Sequence, residues 1–383
     1  MKFLCIAQDG KARAGLFETD HGAIETPIFM PVGTQGTVKA MEQRELHEVG
    51  AQIILGNTYH LYLRPGMEII QNAGGLHRFM NWNNPILTDS GGYQVFSLTD
   101  LRKIDEKGVT FNSHLDGSRH LFTPEKVIQI ERQLGSDVMM VLDECAPFPC
   151  EFEYAQKSNA MTLRWAERCR TAYEQQPPLY GHEQAIFGIV QGSVYPELRE
   201  ISARELVNMD FTGYAIGGLA VGEPAETMYR MTELTEQFLP ANKPRYLMGV
   251  GTPENLLESI DRGVDMFDCV LPTRNGRNAT FFTRFGTMNL RNACYKADFT
   301  PIDSACECYT CKNFSRAYLR HLFLAKEIFA LQLATIHNLF FYLWLVRQAR
   351  IAIIKQQYTQ WKQTMLQQMQ SSVELIQEQS QSL

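Results

Sequence analysis

The sequence predicts an α/β protein built on a parallel (β/α)8 barrel, with an inserted hairpin and a C-terminal appendage. Three observations predict this fold. Eight short apolar runs of the kind that form buried strands recur over roughly 250 residues. Helix-like segments separate the runs, and no Rossmann glycine fingerprint follows the first of them. A doubly wound open sheet is the alternative, and the number of runs favours the barrel.

Each of the eight runs ends where glycine or polar residues begin. Because a strand that is buried on both faces reads as a continuous apolar stretch, the runs predict the strands of one parallel sheet. The runs span residues 27–32, 52–55, 86–88, 138–142, 187–190, 214–216, 246–248 and 266–271.

Helix signals fall between the runs. Residues 123–125 and 252–254 both read Thr-Pro-Glu, which supplies an N-cap, a proline at the first helical position and an early acid. Gly50, Gly135 and Gly263 follow predicted helices, where a left-handed terminal residue favours glycine. These signals mark the ends of several helices between the strands.

The remaining segments predict an insertion and three parts of the chain. Residues 109–118 contain an Asp-Gly turn pair and predict a hairpin inserted between the third and fourth strands. We expect a catalytic barrel over residues 1–280 and a cysteine-bearing subdomain with C-terminal helices over residues 281–355. Residues 356–383 contain ten glutamines and are predicted to be a loosely ordered or disordered tail, partly helical at most.

Composition and charge are those of an ordinary globular enzyme. The chain has 383 residues, of which 45% are hydrophobic and 20% charged. The net charge of −6 argues against binding polyanions over the whole surface, so any nucleic-acid contact must be local. The first apolar stretch is too short for a signal peptide, and the late apolar run 339–346 is far short of a membrane span. We therefore expect a cytoplasmic protein without membrane association.

Polar side chains that follow the runs should meet at one end of the barrel, where such folds have their active sites. Asp89, Asp143 and Asp268 lie there, and converging carboxylates repel one another, which favours a functional role. Two acids can have separate roles in glycosyl transfer. One attacks the anomeric carbon as the nucleophile, and the other donates and accepts protons. The third acid, with Gln191 and the backbone at Gly218, suits the edge of a purine. For each acid alone, a structural role as a helix N-cap is the alternative.

A basic segment follows Asp268, which itself lies inside an apolar run. Residues 269–297 contain no Asp or Glu. Their cations are Arg274, Arg277, Arg284, Arg291 and Lys296. This pattern predicts a reacting group beside a polyanion site. A core carboxylate followed by a solvated basic loop is the alternative.

The cysteines indicate a metal site. Nine cysteines is an odd number, and three of them crowd together, which fits a reducing compartment better than a disulfide framework. Cys306, Cys308, Cys311 and His337 make a closed tetrahedral zinc set, and four protein ligands predict a structural ion. His321 is the alternative fourth ligand. An iron–sulfur cluster is less favoured, since it usually has four cysteines.

Several long motifs resemble those of the tRNA-guanine transglycosylases of the bacterial type. The motifs are residues 88–97 (TDSGGYQVFS), 113–118 (SHLDGS), 188–192 (GIVQG), 216–223 (IGGLAVGE) and 267–274 (FDCVLPTR), together with the cysteine–histidine set. The likeness extends over nearly the whole chain, and the motifs are long and ordered.

The resemblance implies an enzyme that exchanges guanine at the wobble position of tRNAs with a G-U-N anticodon, in queuosine biosynthesis. The incoming base would be preQ1, 7-aminomethyl-7-deazaguanine. Asp268 would be the nucleophile on ribose C1′, giving a covalent enzyme–RNA intermediate, and Asp89 would be the general acid and base. Zinc would be structural, and no redox cofactor would be needed.

The same resemblance implies which residues hold the base and the RNA. Tyr93 would offer a stacking face, with an ordinary half-buried aromatic as the alternative. The residues around the base would be Ser90, Gly91, Gly92, Tyr93, Asp143, Gln191, Gly217, Gly218 and Leu219. The residues that contact the anticodon loop would be Gly249, Val250, Gly251, Thr252, Pro253, Glu254, Asn255, Thr273, Arg274, Asn275, Gly276 and Arg277.

The resemblance also bears on the incoming base and on assembly. Val221 and Cys145 are similar to the bacterial pattern, and valine leaves less room for the cyclopentenediol of queuine, which predicts preQ1. Bacterial members resemble homodimers that pack near the zinc appendage, so we expect a homodimer. The apolar run 339–346 would lie either in that interface or in the core of its own subunit.

Two other functions compete with this one. A catalytically silent tRNA-binding subunit would lack the paired aspartates, whereas Asp89 and Asp268 are both present. A retaining carbohydrase on the same barrel would explain two carboxylates. It would not explain the zinc set, the basic segment or the residues suited to a purine.

Overall fold

The computed structural model describes residues 1–98 and 102–381. Within these residues the chain forms seventeen strands and fifteen α-helices. The strands are β1 (Lys2–Asp9), β2 (Ala12–Thr19), β3 (Gly22–Thr26), β4 (Ile28–Met30), β5 (Val32–Gly33), β6 (Ile54–Gly56), β7 (Ile86–Thr88), β8 (Arg102–Asp105), β9 (Gly108–Asn112), β10 (Arg119–Phe122), β11 (Val138–Met140), β12 (Ala185–Val190), β13 (Gly213–Ile216), β14 (Arg245–Leu247), β15 (Met266–Asp268), β16 (Thr280–Thr283) and β17 (Gly286–Asn289).

The helices between and after the strands account for most of the remaining chain. They are α1 (Gln43–Glu48), α2 (Thr58–Leu63), α3 (Met67–Asn72), α4 (Leu76–Met80), α5 (Gly92–Leu98), α6 (Pro124–Leu134), α7 (Phe152–Gln175), α8 (Pro196–Asn208), α9 (Ala225–Glu236), α10 (Pro253–Asp261), α11 (Leu271–Arg277), α12 (Tyr309–Asn313), α13 (Arg316–Leu324), α14 (Ile328–Ile354) and α15 (Tyr358–Gln381). A short 3₁₀ helix spans Ala293–Ala297.

The predicted barrel is confirmed. Nine strands form one sheet in the order β4-β15-β14-β13-β12-β11-β7-β6-β5, and all of their pairings are parallel. Strands β4 and β5 are two pieces of one barrel strand, separated only by Pro31. Because β4 pairs with β15 and β5 pairs with β6, the eight-stranded ring closes. Each predicted run contributes one strand to the ring.

The helix signals are confirmed as well. Thr123 Oγ1 accepts a hydrogen bond from the Lys126 amide at the start of α6, and Thr252 forms a capping box with Asn255 at the start of α10. Gly135 ends α6 in the left-handed conformation, with φ of +70°. The two N-caps end loops at the C-terminal end of the barrel, whereas Gly135 begins a loop at the opposite end.

An antiparallel sheet precedes the barrel and was not predicted. Strands β1, β2 and β3 pair in that order through two-residue turns at Gly10-Lys11 and Asp20-His21. The Asp9-Gly10 pair is a hairpin signal that was available in the sequence. The buried side chains of β2 and β3 belong to the same apolar core as the barrel strands.

The predicted inserted hairpin is confirmed and has one more strand than expected. Strands β9 and β10 pair antiparallel around the loop 113–118, in which Gly117 has a φ of +73°. Strand β8 adds to β9 and makes a three-stranded sheet.

The C-terminal region has an apolar cluster of its own beside the main core. The cluster contains Ala279, Phe281, Leu290, Ile302, Cys308, Cys311, Leu319, Leu322, Phe323, Ala330, Leu333 and Ala334. The second half of α14 packs into the main core instead, so this helix belongs to both. The domain boundaries at residues 280 and 355 stay predictions.

The tail is more regular than the sequence suggested. Helix α15 runs from Tyr358 to Gln381, whereas Ser382 and Leu383 lie outside the described residues. The Tyr358 hydroxyl donates to the Leu257 carbonyl at 2.7 Å, and Met365 and Met369 are buried. These contacts order the beginning of a segment whose composition alone indicates a loose extension.

Helix α14 is long and apolar enough to cross a membrane by length and composition. The apolar run 339–346 is only part of this helix, which has 27 residues. In its most apolar window 67% of the residues are buried inside the fold, so the helix is part of the core. Within 339–346 only Phe340 and Trp344 are half-buried and the others are buried, which favours the core of its own subunit over an interface.

Candidate active site and metal centre

The three acids predicted at the C-terminal end of the barrel strands lie there. Asp89 follows β7, Asp143 follows β11, and Asp268 is the last residue of β15. The negative charge of Asp268 contributes to raising the pKa of Asp89, so the two carboxylates are close enough to interact. The acids that follow the third and eighth strands of the ring therefore face one site.

Asp89 is buried and accepts four hydrogen bonds. Its Oδ1 accepts from the amides of Thr58 at 2.9 Å and Gly91 at 3.2 Å, and its Oδ2 accepts from the side-chain amides of Asn57 and Gln94. Burial nevertheless raises the pKa of Asp89 to about 7, because removing the charge from water outweighs these bonds. A carboxyl group that titrates near neutral pH can both give and take a proton.

One carboxylate oxygen of Asp268 accepts hydrogen bonds, and the other does not. Its Oδ1 accepts from the Tyr246 hydroxyl at 2.6 Å and from the Gly249 amide at 2.7 Å. Its Oδ2 accepts no hydrogen bond from the described residues. Burial raises the pKa of Asp268, whereas the two hydrogen bonds lower it. The two hydrogen bonds to Oδ1 fix the orientation of the carboxylate, and Oδ2 is available to react.

Asp143 and Gln191 lie side by side, both buried, beside Ser90, and the space that they border is the candidate base pocket. Asp143 accepts hydrogen bonds from Gln191 Nε2 at 2.7 Å and from Ser90 Oγ at 3.3 Å, and burial raises its pKa to about 6. Gln191 Oε1 is buried and has no partner among the described residues. An unpaired buried amide oxygen is costly unless a ligand or water bonds it, so this pair is suited to hold a polar ligand edge.

Glycines line the same pocket because side chains would not fit. A Cβ atom at Gly218 would lie 2.3 Å from Gln191 Oε1, and one at Gly92 would lie 2.8 Å from the Asp143 carbonyl oxygen. The buried guanidinium of Arg199 donates to the carbonyl oxygens of Gly217 at 2.9 Å and Gly218 at 3.3 Å. These two hydrogen bonds fix the position of the glycine backbone at 217–218, which forms one wall of the pocket.

Four more predicted residues line or flank the pocket. Ser90 and Gly91 are buried beside Asp89 and Asp143, and Leu219 is buried directly after the glycine pair. Tyr93 lies on the first turn of α5 and is 53% exposed, so one ring face is open to a stacking partner. The structure therefore brings all nine predicted base-site residues to the same end of the barrel.

The predicted RNA-contact residues occupy two segments beside Asp268, the loop 249–252 with the start of α10, and α11. Gly249 and Arg274 are exposed, and Thr252, Glu254, Asn255, Asn275 and Arg277 are half-buried. Val250, Gly251, Pro253, Thr273 and Gly276 are buried. The accessible residues are therefore the candidates for direct side-chain contact.

Arg274 and Arg277 form an unpaired basic pair on α11. Neither makes an ion pair with an acid among the described residues, and Arg277 Nη1 is buried without a partner. Burial and the nearby charge of Arg274 lower the pKa of Arg277. Two like charges without an acid favour a bound anion. Arg284, in contrast, is paired with Asp303 at 3.1 Å and stacks on Trp344.

The predicted metal ligands converge. His337 Nδ1 lies 3.2 Å from Cys311 Sγ, 3.5 Å from Cys308 Sγ and 3.9 Å from Cys306 Sγ. A tetrahedral zinc ion would place such atoms about 3.5–3.8 Å apart. His337 Nε2 donates to the Phe282 carbonyl at 2.8 Å, which leaves the Nδ1 lone pair for a metal. The residues therefore fit a structural ion, and His337 is the histidine in the set.

A second group of histidines lies near Asp137, at the opposite end of the barrel. Asp137 bonds His21 Nδ1 at 2.8 Å and His77 Nε2 at 3.1 Å, and the two rings stack with centroids 3.7 Å apart. His182 is the third member of the group. Parallel stacked imidazoles cannot direct both in-plane lone pairs to one ion. We therefore interpret this group as a structural contact between the β2–β3 turn and the barrel.

A family model described as Queuine tRNA-ribosyltransferase matches residues 8–371. The chain belongs to the queuine tRNA-ribosyltransferase family. It is 59% identical over 368 residues to a Queuine tRNA-ribosyltransferase of Caldanaerobacter subterraneus subsp. tengcongensis, covering 96% of this chain and 97% of the relative. It is 58% identical over 364 residues to that of Thermoanaerobacter sp. (strain X514), covering 94% and 96%. It is 54% identical over 376 residues to that of Aquifex aeolicus, covering 96% and 98%.

Membership of the queuine tRNA-ribosyltransferase family confirms the resemblance seen in the motifs. The chain is a transferase, a tRNA-guanine transglycosylase of the bacterial type, and it acts in the modification of tRNA guanine in the queuosine pathway. Neither a silent tRNA-binding subunit nor a carbohydrase is the family that the chain matches.

Four residues around the site of this queuine tRNA-ribosyltransferase were missed by sequence reasoning. Asn57 and Gln94 donate hydrogen bonds to Asp89, and Tyr246 donates one to Asp268. Arg199 donates to the carbonyl oxygen of Gly217. Asn57 lies two residues after the end of the second apolar run, in the region where a site residue is expected. Tyr246 and Arg199 give no local signal, because one lies inside an apolar run and the other inside a helix.

Proposed function

We propose that this transglycosylase replaces guanine by preQ1 at the wobble position of tRNAs with a G-U-N anticodon, through a covalent enzyme–RNA intermediate. One observation supports this mechanism above the others. Asp89 and Asp268 face one site with different surroundings, one titrating near neutrality and the other presenting a free oxygen. Nucleophilic glycosyl transfer requires this division between two carboxylates.

In the first half-reaction the free Oδ2 of Asp268 attacks ribose C1′ of the target nucleotide. The bond from C1′ to N9 breaks as the bond from C1′ to Oδ2 forms, and guanine leaves with its bonding electrons. Protonated Asp89 supplies the proton that guanine needs as it departs. The product is an ester between Asp268 and the RNA.

In the second half-reaction the ester returns the ribose to a base. Ionised Asp89 takes the N9 proton of preQ1, N9 attacks C1′, and the ester bond to Asp268 breaks. Asp89 is left protonated, ready for the next cycle. The two half-reactions exchange one glycosidic bond for another, so no oxidant, reductant or nucleotide triphosphate is needed.

The pocket between the acids suits guanine and its 7-deaza analogue. An ionised Asp143 accepts hydrogen bonds from a ring N–H and an exocyclic amine. Gln191 Nε2 gives one hydrogen to Asp143 and donates its second hydrogen to a ring carbonyl oxygen. The backbone of Gly218 and Leu219 adds fixed donors and acceptors, and a side chain would not fit at Gly218. Tyr93 stacks on the base. Both bases share this edge, so one pocket serves both half-reactions.

The RNA enters with the target nucleotide turned out of the anticodon loop, since the glycosidic bond inside a stack is out of reach. Arg274 and Arg277 bind backbone phosphates beside Asp268. The segment 249–255 contributes the second contact. Recognition of a loop rather than a duplex agrees with the way in which proteins read RNA sequence.

We expect radiolabelled guanine and preQ1, but not queuine, to be incorporated efficiently into unmodified tRNA with a G-U-N anticodon. Val221 leaves less room for the cyclopentenediol of queuine than a smaller residue would. The discrimination in kcat/KM should be on the order of tenfold or more, as for other tight pockets. A Val221→Gly variant is the control, and in it the kcat/KM values for preQ1 and queuine should be closer to each other. Queuine incorporated as efficiently as preQ1 would contradict the choice of base.

We propose that the metal is zinc and that its role is structural. Metal analysis should find one zinc per chain, and Cys308→Ser should lose it and lower the melting temperature by at least about 5 °C. Cys294→Ser is the matched control, since Cys294 is an exposed cysteine outside the ligand set. Full zinc content in Cys308→Ser would contradict the ligand assignment.

We propose that the enzyme is a homodimer that assembles through aromatic residues beside the metal site. Phe314 lies within 5.5–5.7 Å of the rings of Tyr309, Tyr318 and Phe329, and Phe299 lines the same surface cleft and is 80% exposed. A contiguous exposed apolar patch of this kind marks an interaction site.

Light scattering should therefore give about twice the chain mass of 43.7 kDa. Phe299→Asp should shift the enzyme to the monomer, because a charge would be buried without a partner in the interface. Phe285→Asp, at the exposed β16–β17 turn outside the patch, should remain dimeric. A wild-type monomer at micromolar concentration would contradict the proposal. We also propose that the enzyme acts in the cytoplasm, because its substrate is a tRNA.

A further inference from the structure

The nucleophile depends on a glycine-containing loop for one of its two hydrogen bonds. The Gly249 amide donates to Asp268 Oδ1 at 2.7 Å, and Gly249 has a φ of +70°. Gly251 lies two residues further, and a Cβ atom there would be 2.3 Å from the Cβ of Cys269. Glycines are permissive in conformation, so contacts with the rest of the fold contribute to the shape of this loop.

Tyr342 of α14 supplies one such contact. Its hydroxyl donates to the Gly251 carbonyl at 2.7 Å, and the side chain is fully buried. Its ring packs against Phe29 with centroids 5.0 Å apart and against Phe282 at 5.2 Å. Phe29 precedes Met30, which pairs with Asp268 in the barrel sheet. The tyrosine therefore lies between the barrel strand beside the nucleophile and the loop that orients it.

The position of α14 is itself fixed next to the active site. Asn338, one turn before Tyr342, donates to the carbonyls of Pro272 and Thr280 at 3.0 Å and accepts from the Phe282 amide at 3.0 Å. Gly276 of α11 packs against the backbone of α14 at Ala334. A helix held at these points gives the Tyr342 hydroxyl a defined place relative to Asp268.

We propose that Tyr342 is a positioning residue for the reaction, which holds the loop 249–251 so that the Gly249 amide orients the nucleophilic carboxylate of Asp268. This inference rests on the proposed role of Asp268. It concerns a residue that does not touch the substrate and lies in a stretch that reads as purely apolar. The competing interpretation is that the hydroxyl merely satisfies a buried carbonyl.

Tyr358 makes a matched control possible. It is also fully buried, and its hydroxyl also donates to a backbone carbonyl, that of Leu257, at 2.7 Å. Leu257 lies inside α10 and not on the loop 249–251. Tyr342→Phe and Tyr358→Phe therefore remove the same kind of bond, and only the first bond lies on the nucleophile's loop. Both variants should lose a similar amount of thermal stability.

The test measures single-turnover formation of the denaturation-resistant enzyme–RNA adduct. Tyr342→Phe should slow it about tenfold, since small misplacements of reacting groups are costly, whereas tRNA affinity should change less than about twofold. The acid limb of the pH profile should move to higher pH, because the Gly249 hydrogen bond lowers the pKa of Asp268. Hydrogen exchange in residues 249–252 should increase. Tyr358→Phe should leave all these measurements near wild type.

Equal adduct rates and equal pH profiles in Tyr342→Phe and Tyr358→Phe would overturn the inference. Asp268→Asn separates this failure from that of the proposed function. If Asp268→Asn forms no adduct while the two tyrosine variants behave alike, Asp268 remains the nucleophile and only the positioning role of Tyr342 is rejected. If Asp268→Asn still forms the adduct, the proposed function itself fails.

Discussion

Asp268→Asn will abolish the covalent enzyme–RNA adduct and reduce base exchange by on the order of 10⁴-fold or more. The reason is local. Asparagine keeps an Oδ1 that can accept from the Tyr246 hydroxyl and the Gly249 amide, so the side chain keeps its orientation. The free oxygen is replaced by an amide NH2, which is not a nucleophile. Electrophoresis under denaturing conditions after incubation with tRNA measures the adduct directly.

The same substitution provides its own control for folding and RNA binding. Since both hydrogen bonds to the side chain can be kept, the melting temperature and the affinity for tRNA should remain near wild type. A stable adduct formed by Asp268→Asn would show that another group attacks C1′. Loss of tRNA binding together with the adduct would point to a structural role for the carboxylate instead.

Asp89→Asn will lower the rate of adduct formation by about 10²- to 10⁴-fold, the usual contribution of a general acid. The variant should fold. Asn57 Oδ1 and Gln94 Oε1 are buried and have no partner among the described residues. Rotating the two side-chain amides therefore presents acceptors to the new NH2 group. Rapid-quench measurement of the first half-reaction gives the rate.

The pH dependence should identify Asp89 more specifically. Burial raises its pKa to about 7, so the acid form is lost as the pH rises through that value. In the wild type, adduct formation should therefore slow above about pH 7, and capture of the ribose by the incoming base should slow below it. Asp89→Asn should show neither change. An ionisation near pH 7 that persists in Asp89→Asn would belong to another group.

Much of the site could be predicted because its signals are local in the chain. Asp89 and Asp143 follow apolar runs, Asp268 ends one, and the strands of a parallel barrel finish at one end, so convergence of these acids follows from order alone. The cysteine spacing likewise indicates a metal set without knowledge of the fold. The parts that escaped prediction are the β1–β3 sheet and the helical tail. A weak turn signal marks the first, and contacts with α10 order the beginning of the second.

The sequence by itself determined the barrel, the acids at its C-terminal end, the cysteine–histidine set and the family. These features depend on periodicity, spacing and motif, which a chain displays before it folds. Only the tertiary structure decided which oxygen of Asp268 is free, which groups hold Asp89, and that α14 lies in the core. Each of these depends on contacts between residues far apart in the chain, such as Tyr342 with Gly251, and on the burial that such contacts create. Burial sets the proton affinity of the acids, and no local pattern records it.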